Sequence, residues 1–300
     1  MIRSAIKVSG FCTGMLIATD VQAQQSFESY AAAAEAVASA LRAGSASGLL
    51  AIFGEGNEDA ILTGDAVQDR ENWTAFLKAY ETEHAFRIES DGVTYLLLGE
   101  DDWAFPIPMV IQEGAVSFDV EAGREELLLR EIGGNEVLMI EVLQRYVEAQ
   151  AEYRAMDPDE DGIHSFASHF ISESGQKDGL YWPGGDSPVG DVFARASLSG
   201  YVSEDGEEVA APFGGYYFHM LEGQGAHAPG GAMSYSVNGH QVAGHALVAV
   251  PEVYGETGFT SFMVAENGWI YEADLGEDSV ELVFGMTLFD PSDDWELLSE

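Results

Sequence analysis

The sequence predicts an α+β protein of two domains, and three observations carry that prediction. Residues 29–42 are Ala-rich and free of Gly and Pro, the composition of a helix. Residues 93–120 and 215–276 each hold several apolar or alternating runs punctuated by turn residues, the pattern of antiparallel strands. Between them, Met139, Val142, Leu143, Tyr146, Ala149 and Tyr153 fall on one side of a helix, a stripe that belongs to a core. A chain of 300 residues, 46% hydrophobic and 11% aromatic, is long and apolar enough to bury two cores.

Taken in order, Arg3 and Lys7 precede a short apolar segment, Val8 to Thr19, and Val21-Gln22-Ala23 is a small-residue cleavage site. Residues 1–23 therefore read as a signal peptide, with the exported chain starting at Gln24 and working in the periplasm or outside the cell. The apolar run is well short of the ~20 residues that span a bilayer. Cys12, the one cysteine, lies inside it behind Ser9-Gly10-Phe11, a poor lipidation box. Cleavage leaves no cysteine, which removes disulfides, thiol catalysis and Cys-based metal sites.

The first domain is expected over residues 24–133. Its helix at 29–42 is stopped by Gly44; a short helix follows through Leu49, Leu50, Ile52 and Phe53, and a third covers about 70–83 with Trp73, Phe76, Leu77 and Tyr80 at helical spacing. Strands are expected at 93–98, 106–112 and 115–120, the last two joined as a hairpin around Glu113-Gly114. Helices at 121–129 and 135–155 come next, and Gly133-Gly134 between them marks the domain boundary. The second domain, 134–300, opens with the longer of these helices, has a possible helix at 165–171, and carries strands in Gly215–Leu221, His245–Val264 and Asn267–Gly276.

Helices followed by a curled sheet, with the segment DDWAFPIPMVIQEGAVSFDVEAG, resemble the cone-shaped NTF2-like fold. The later order GYYFHML, ALVAVP, a Gly-containing turn, TSFMV and a closing strand after Asn267-Gly268 resembles the sheet of a type IV pilin or pseudopilin head. The helix before it lacks the apolar filament-core half of a pilin, so no pilus-type polymerisation is expected. Across nearly the whole exported chain, the sequence resembles the bacterial family of domain of unknown function 2950. The shared signatures are Gly99-Glu100-Asp101-Asp102-Trp103, Pro106-Ile107-Pro108, Asn135-Glu136, Tyr146-Val147-Glu148-Ala149-Gln150, Asp178-Gly179-Leu180-Tyr181-Trp182-Pro183 and Gly215-Tyr216-Tyr217-Phe218. The resemblance implies an exported bacterial protein and carries no assigned activity; neither fold likeness fixes a function.

Net charge is −40 for the whole chain, and removing Arg3, Lys7 and Asp20 with the signal leaves 10 basic and 51 acidic residues, or −41. Phosphate backbones and anionic lipid faces are repelled by such a surface, which excludes nucleic acid and membrane-surface binding as working readings. Solubility in a salty compartment and binding of cations or a basic partner both fit it.

Asp157-Pro158-Asp159-Glu160-Asp161-Gly162-Ile163 matches the first half of an EF-hand-type calcium loop, with acids at alternate positions, Gly sixth and the Ile163 carbonyl as a further ligand. Ser168 stands where the bidentate Glu belongs, so the loop reads either as a weak calcium site at Asp157, Asp159, Asp161 and Ile163 or as a solvated acidic turn. The seven histidines lack metal-binding spacing and read as surface or turn residues. No G-x-S-x-G elbow and no phosphate-binding loop occurs. Tyr181 and Trp182 sit in a Pro-Gly-Gly loop, as a partner-binding platform or a loop tucked onto the sheet. Glu100, Asp101 and Asp102 beside Trp103 are a candidate acid/base group for an envelope hydrolase. The sequence thus points to a non-enzymatic binding or assembly factor, stabilised by calcium, with an unidentified envelope protein or ligand as partner. The hydrolase is the alternative.

Overall fold

Ser29 caps the first helix by accepting a hydrogen bond from the Ala32 amide, 3.2 Å, and fixes where α1 (Tyr30–Arg42) begins. The computed structural model describes residues 24–158, 160–194, 196–197 and 211–298, so residues 1–23, expected as a signal peptide, and Asp159 lie outside the described residues. The chain divides into two compact units, one ending at Leu127 and one beginning at Leu128. Helices and antiparallel sheets make both, an α+β protein as the sequence pattern predicts.

The first unit continues with α2 (Ala46–Phe53), α3 (Glu58–Ile61) and α4 (Ala66–Thr82). Ser45 caps α2 through the Gly48 amide, and Asp65 caps α4 by accepting from Val67 and Gln68. Strands β1 (His84–Ile88), β2 (Thr94–Leu98), β3 (Trp103–Ala104), β4 (Met109–Gln112) and β5 (Ala115–Phe118) follow, in the antiparallel order β1-β2-β4-β5 with β3 also paired to β2. Glu113 and Gly114, both at positive φ, make the β4–β5 turn. The core of this unit joins Val37, Leu41, Leu49 and Phe53 from the helices to Leu96, Leu98, Met109 and Phe118 from the sheet.

One helix, α5 (Val120–Met156), stands where the sequence suggests two. It runs without interruption through Gly133 and Gly134, at which an added Cβ would meet nothing within 4 Å. Two glycines cost about 1 kcal/mol each against Ala, and the packed residues on either side outweigh that cost. A second correction concerns 165–171, which form no helix. There β6 (His169–Ile171) pairs in parallel with β7 (Gly179–Tyr181), His169 opposite Gly179.

The rest of the second unit comprises α6 (Asp191–Ala194), β8 (Tyr216–Leu221), β9 (Gly223–Gln224), β10 (Met233–Ser234), β11 (Ser236–Val237), β12 (His240–Gln241), β13 (Ala246–Pro251), β14 (Thr260–Ala265), β15 (Ile270–Asp274), α7 (Ser279–Phe284), β16 (Leu288–Phe289) and β17 (Glu296–Leu297). Its main sheet is antiparallel in the order β17-β15-β14-β13-β8, with Leu247 opposite Met220 and Val264. Every residue of β13 is buried, because the sheet is covered on both faces. Leu247 and Ala249 join Met139, Leu143 and Tyr146 of α5, whereas Ala246, Val248 and Val250 join Val283 of α7 and Phe289. That two-sided burial is why ALVAVP is apolar throughout instead of alternating.

Candidate functional site

The first unit contains a cavity of about 540 Å³ bounded by α1, α2, α4, the α3–α4 loop and the β2–β3 corner. Val37, Leu41, Leu49, Phe53 and Leu98 supply its aliphatic and aromatic wall. From α4 come Asp69, Trp73 and Phe76, spaced i, i+4 and i+7 and so on one helical face. Trp103, about half exposed, and Phe105 line it from the strand side. Phe105 meets the Phe76 ring edge-on at 5.5 Å between centroids, which ties the β3 segment to α4.

Polar groups are few. Among the described residues Asp69, 9% exposed, is the one charged group of the lining, and those residues contribute no Lys, Arg or His to the wall. Its Oδ1 accepts from the Thr63 amide and the Thr63 hydroxyl, both at 2.8 Å, which pins the carboxylate on the first turn of α4. This cavity was beyond sequence reasoning, although Trp73 and Phe76 at helical spacing were part of its signal.

Glu100, Asp101 and Asp102 lie on an exposed turn between β2 and β3, with Asp102 at φ 52°. None of the three lines the cavity, although their neighbour Trp103 does.

In the acidic loop, the carboxylates turn onto the loop's own backbone. Asp157 Oδ2 accepts from the Gly162 amide at 3.2 Å, and Asp161 Oδ1 accepts from the Ile163 amide at 2.6 Å. Asp161 Oδ2 also lies 3.5 Å from His240 Nδ1, and the Ile163 carbonyl accepts from the Ser165 amide. Asp157 Oδ1 is buried without a partner among the described residues. Among those residues no group of three metal-ligating side chains is brought together; Asp159 lies outside them.

Trp182 is buried in the second unit's core, where its ring meets Tyr153 edge-on at 6.4 Å and its Nε1 donates to Asp186 at 2.6 Å. The Lys177 ammonium sits 4.8 Å from the ring centre and pairs with Asp186, whose carboxyl is held below its usual range by that ion pair and the indole bond. Tyr181 is half-buried and packs against the same core.

His245 corrects the reading of the histidines as surface or turn residues, since it is 1% exposed. Period two places it on the face of β13 that carries Leu247 and Ala249, and its ring meets Tyr146 at 5.2 Å and Phe166 at 4.7 Å. Burial, helped by the nearby Arg154 charge, pushes its imidazole down to about 3. Arg154 lies over the Phe166 ring at 4.5 Å and 3.8 Å from Glu266, at the rim of a cleft of about 450 Å³ that His245 floors. The period-two facing of β13, continued one residue back from Ala246, places this histidine, while the uniformly apolar run gave the sequence no alternation to show it.

No helix among the described residues is long and apolar enough to cross a membrane. No curated protein matches the chain. No solved structure matches it either. The model of the family described as "Protein of unknown function (DUF2950)" matches residues 24–298, nearly all of the sequence, and the chain belongs to that family.

Proposed function

We propose that the protein is an exported, non-enzymatic binding factor of the bacterial envelope whose first unit holds the apolar part of a small ligand. The cavity carries this reading. Its volume of about 540 Å³ lies within the ~300–1,000 Å³ of small-molecule sites, and its wall is apolar with few polar groups. The three carboxylates at 100–102, on which the hydrolase alternative rests, stand outside that wall.

The four helices followed by an antiparallel sheet support an NTF2-like reading of the first unit, a fold that hosts both enzymes and binding modules. The α5 helix laid on the β8–β13–β14–β15 sheet supports a pilin-head-like reading of the second. Export rests on the charged, apolar and small-residue segments of residues 1–23. Calcium at Asp157, Asp159, Asp161 and the Ile163 carbonyl remains the proposal for the acidic loop, supported by the orphan Asp157 Oδ1. A partner contact at the Tyr181–Trp182 loop draws on Tyr181, since the Trp182 ring is buried.

The binding reading is tested with a homologous series of neutral 1-alkanols from hexanol to decanol, titrated into the full exported chain and followed by tryptophan fluorescence and calorimetry. Burial of each methylene is worth about 0.8 kcal/mol, so affinity should rise roughly fourfold per carbon until the cavity is filled. Ala79→Phe, at a half-buried lining position of α4, should weaken binding by filling part of the cavity, with folding of the variant checked by circular dichroism. Binding that is insensitive to chain length, or equal in the variant, would refute the proposal.

A further inference from the structure

We infer that the cavity of the first unit selects a hydrophobic organic cation, an alkylammonium-type ligand, and that Asp69 determines this specificity. The inference rests on the binding reading above and goes further by naming the head group.

Five aromatic residues line the cavity, Phe53 from α2, Trp73 and Phe76 from α4, and Trp103 and Phe105 from the strand side, together with Asp69 as the one carboxylate among the described lining residues. Asp69 is 9% exposed and spends Oδ1 on Thr63, while Oδ2 accepts no hydrogen bond among the described residues. A half-satisfied carboxylate at an apolar wall gains most from a cation, because the attraction of opposite charges grows as water is excluded. The faces of Trp and Phe attract cations through their ring quadrupoles, the chemistry by which aromatic cages hold alkylammonium groups. Asp69, Trp73 and Phe76 share one face of α4, so charge and rings form a continuous strip.

The opposite charge is disfavoured by the same wall. With no Lys, Arg or His among the described lining residues, a carboxylate or sulfate head would meet Asp69 and find no counter-charge from them. The chain's net charge of −40 adds a long-range preference of the same sign, but that preference is diffuse and screened by salt. Selectivity from Asp69 is local and should survive salt.

The experiment compares three ten-carbon probes below their micelle concentrations on the full exported chain: decyltrimethylammonium, 1-decanol and decanoate, by calorimetry at low and high salt. The expected result is that the cation binds at least tenfold more tightly than the alcohol at both salt levels, and decanoate at least tenfold more weakly. Asp69→Asn keeps an acceptor for Thr63 and should bring the cation within threefold of the alcohol. Trp73→Leu should weaken the cation more than the alcohol. If decanol binds but the cation gains nothing, or if Asp69→Asn keeps the cation preference, the inference is overturned and the binding reading stands. If none of the three binds, the binding reading itself fails.

Discussion

His245→Phe should remove a large part of the acid sensitivity of the second unit. The imidazole is 1% exposed, its Nδ1 has no partner among the described residues, and Tyr146 and Phe166 close over it edge-on. Burial together with the Arg154 charge lowers it from 6.5 to about 3, with Glu266 the nearby opposing charge across the cleft. The folded state then holds His245 neutral through a range in which the unfolded chain protonates it. Stability is complete above about pH 6.5 and falls with pH from there towards about 3, because the unfolded state binds the extra proton. The slope is about 1.4 kcal/mol per pH unit, so roughly 2 kcal/mol is lost between pH 7 and pH 5. For a unit of this size that is about 4–8 °C in Tm. His219, also lowered by burial and bonded to the Met286 carbonyl at 2.9 Å, acts in the same direction and persists in the variant. Relief of self-repulsion between carboxylates acts in the opposite direction and cancels in the comparison. The assay is thermal unfolding followed by near-UV circular dichroism at pH 7.5, 6.0 and 5.0 and fixed ionic strength. Equal losses in wild type and His245→Phe would refute the account of a buried neutral imidazole.

Three further outcomes are expected. Gln150→Leu should destabilise the second unit by about 2–5 kcal/mol, because Gln150 bonds both the amide and the carbonyl of Ala167 and would leave two buried backbone groups unpaired; chemical denaturation measures this. Gly258→Ala should cost about 1–3 kcal/mol, since the new Cβ would overlap the Tyr216 hydroxyl that donates to the Thr260 carbonyl at 2.8 Å; Gly258→Ala with Tyr216→Phe should recover part of the loss. Calcium near ten times a dissociation constant of ~10⁻⁴ to 10⁻³ M should raise Tm by a few degrees, about 1.4 kcal/mol of linkage. Magnesium at matched ionic strength should not, and Asp157→Ala with Asp161→Ala should abolish the effect; equal melting in the two ions would leave the loop a solvated turn.

Elements whose cause is local were readable from the sequence. An Ala-rich run without Gly or Pro located α1, and Glu113-Gly114 between apolar runs located the β4–β5 hairpin. Strands β8, β13, β14 and β15 follow the runs that predict them. Elements whose cause is tertiary were not readable. Strand β1 is an edge strand with little buried surface and no alternation, so its pairing to β2, His84 opposite Leu98, leaves no sequence pattern. Gly133-Gly134 read as a break because propensity was weighed without packing on either side. The cavity joins side chains from Val37 to Pro106, and no spacing rule connects them. Its chemistry was visible only in part, through the tryptophan and phenylalanine of α4, while Asp69 was one acid among 52.

Where an apolar ligand settles is best read by methyl-labelled NMR of the chain from Gln24 onward titrated with 1-octanol. If the first unit is the binding module, the methyl signals of Val37, Leu41, Leu49, Ile61, Leu62 and Leu98 shift together and saturate with one affinity, while those of Leu247, Val248 and Val264 in the second unit stay in place. Shifts absent from the cavity methyls, or spread over both units without saturation, would contradict the account.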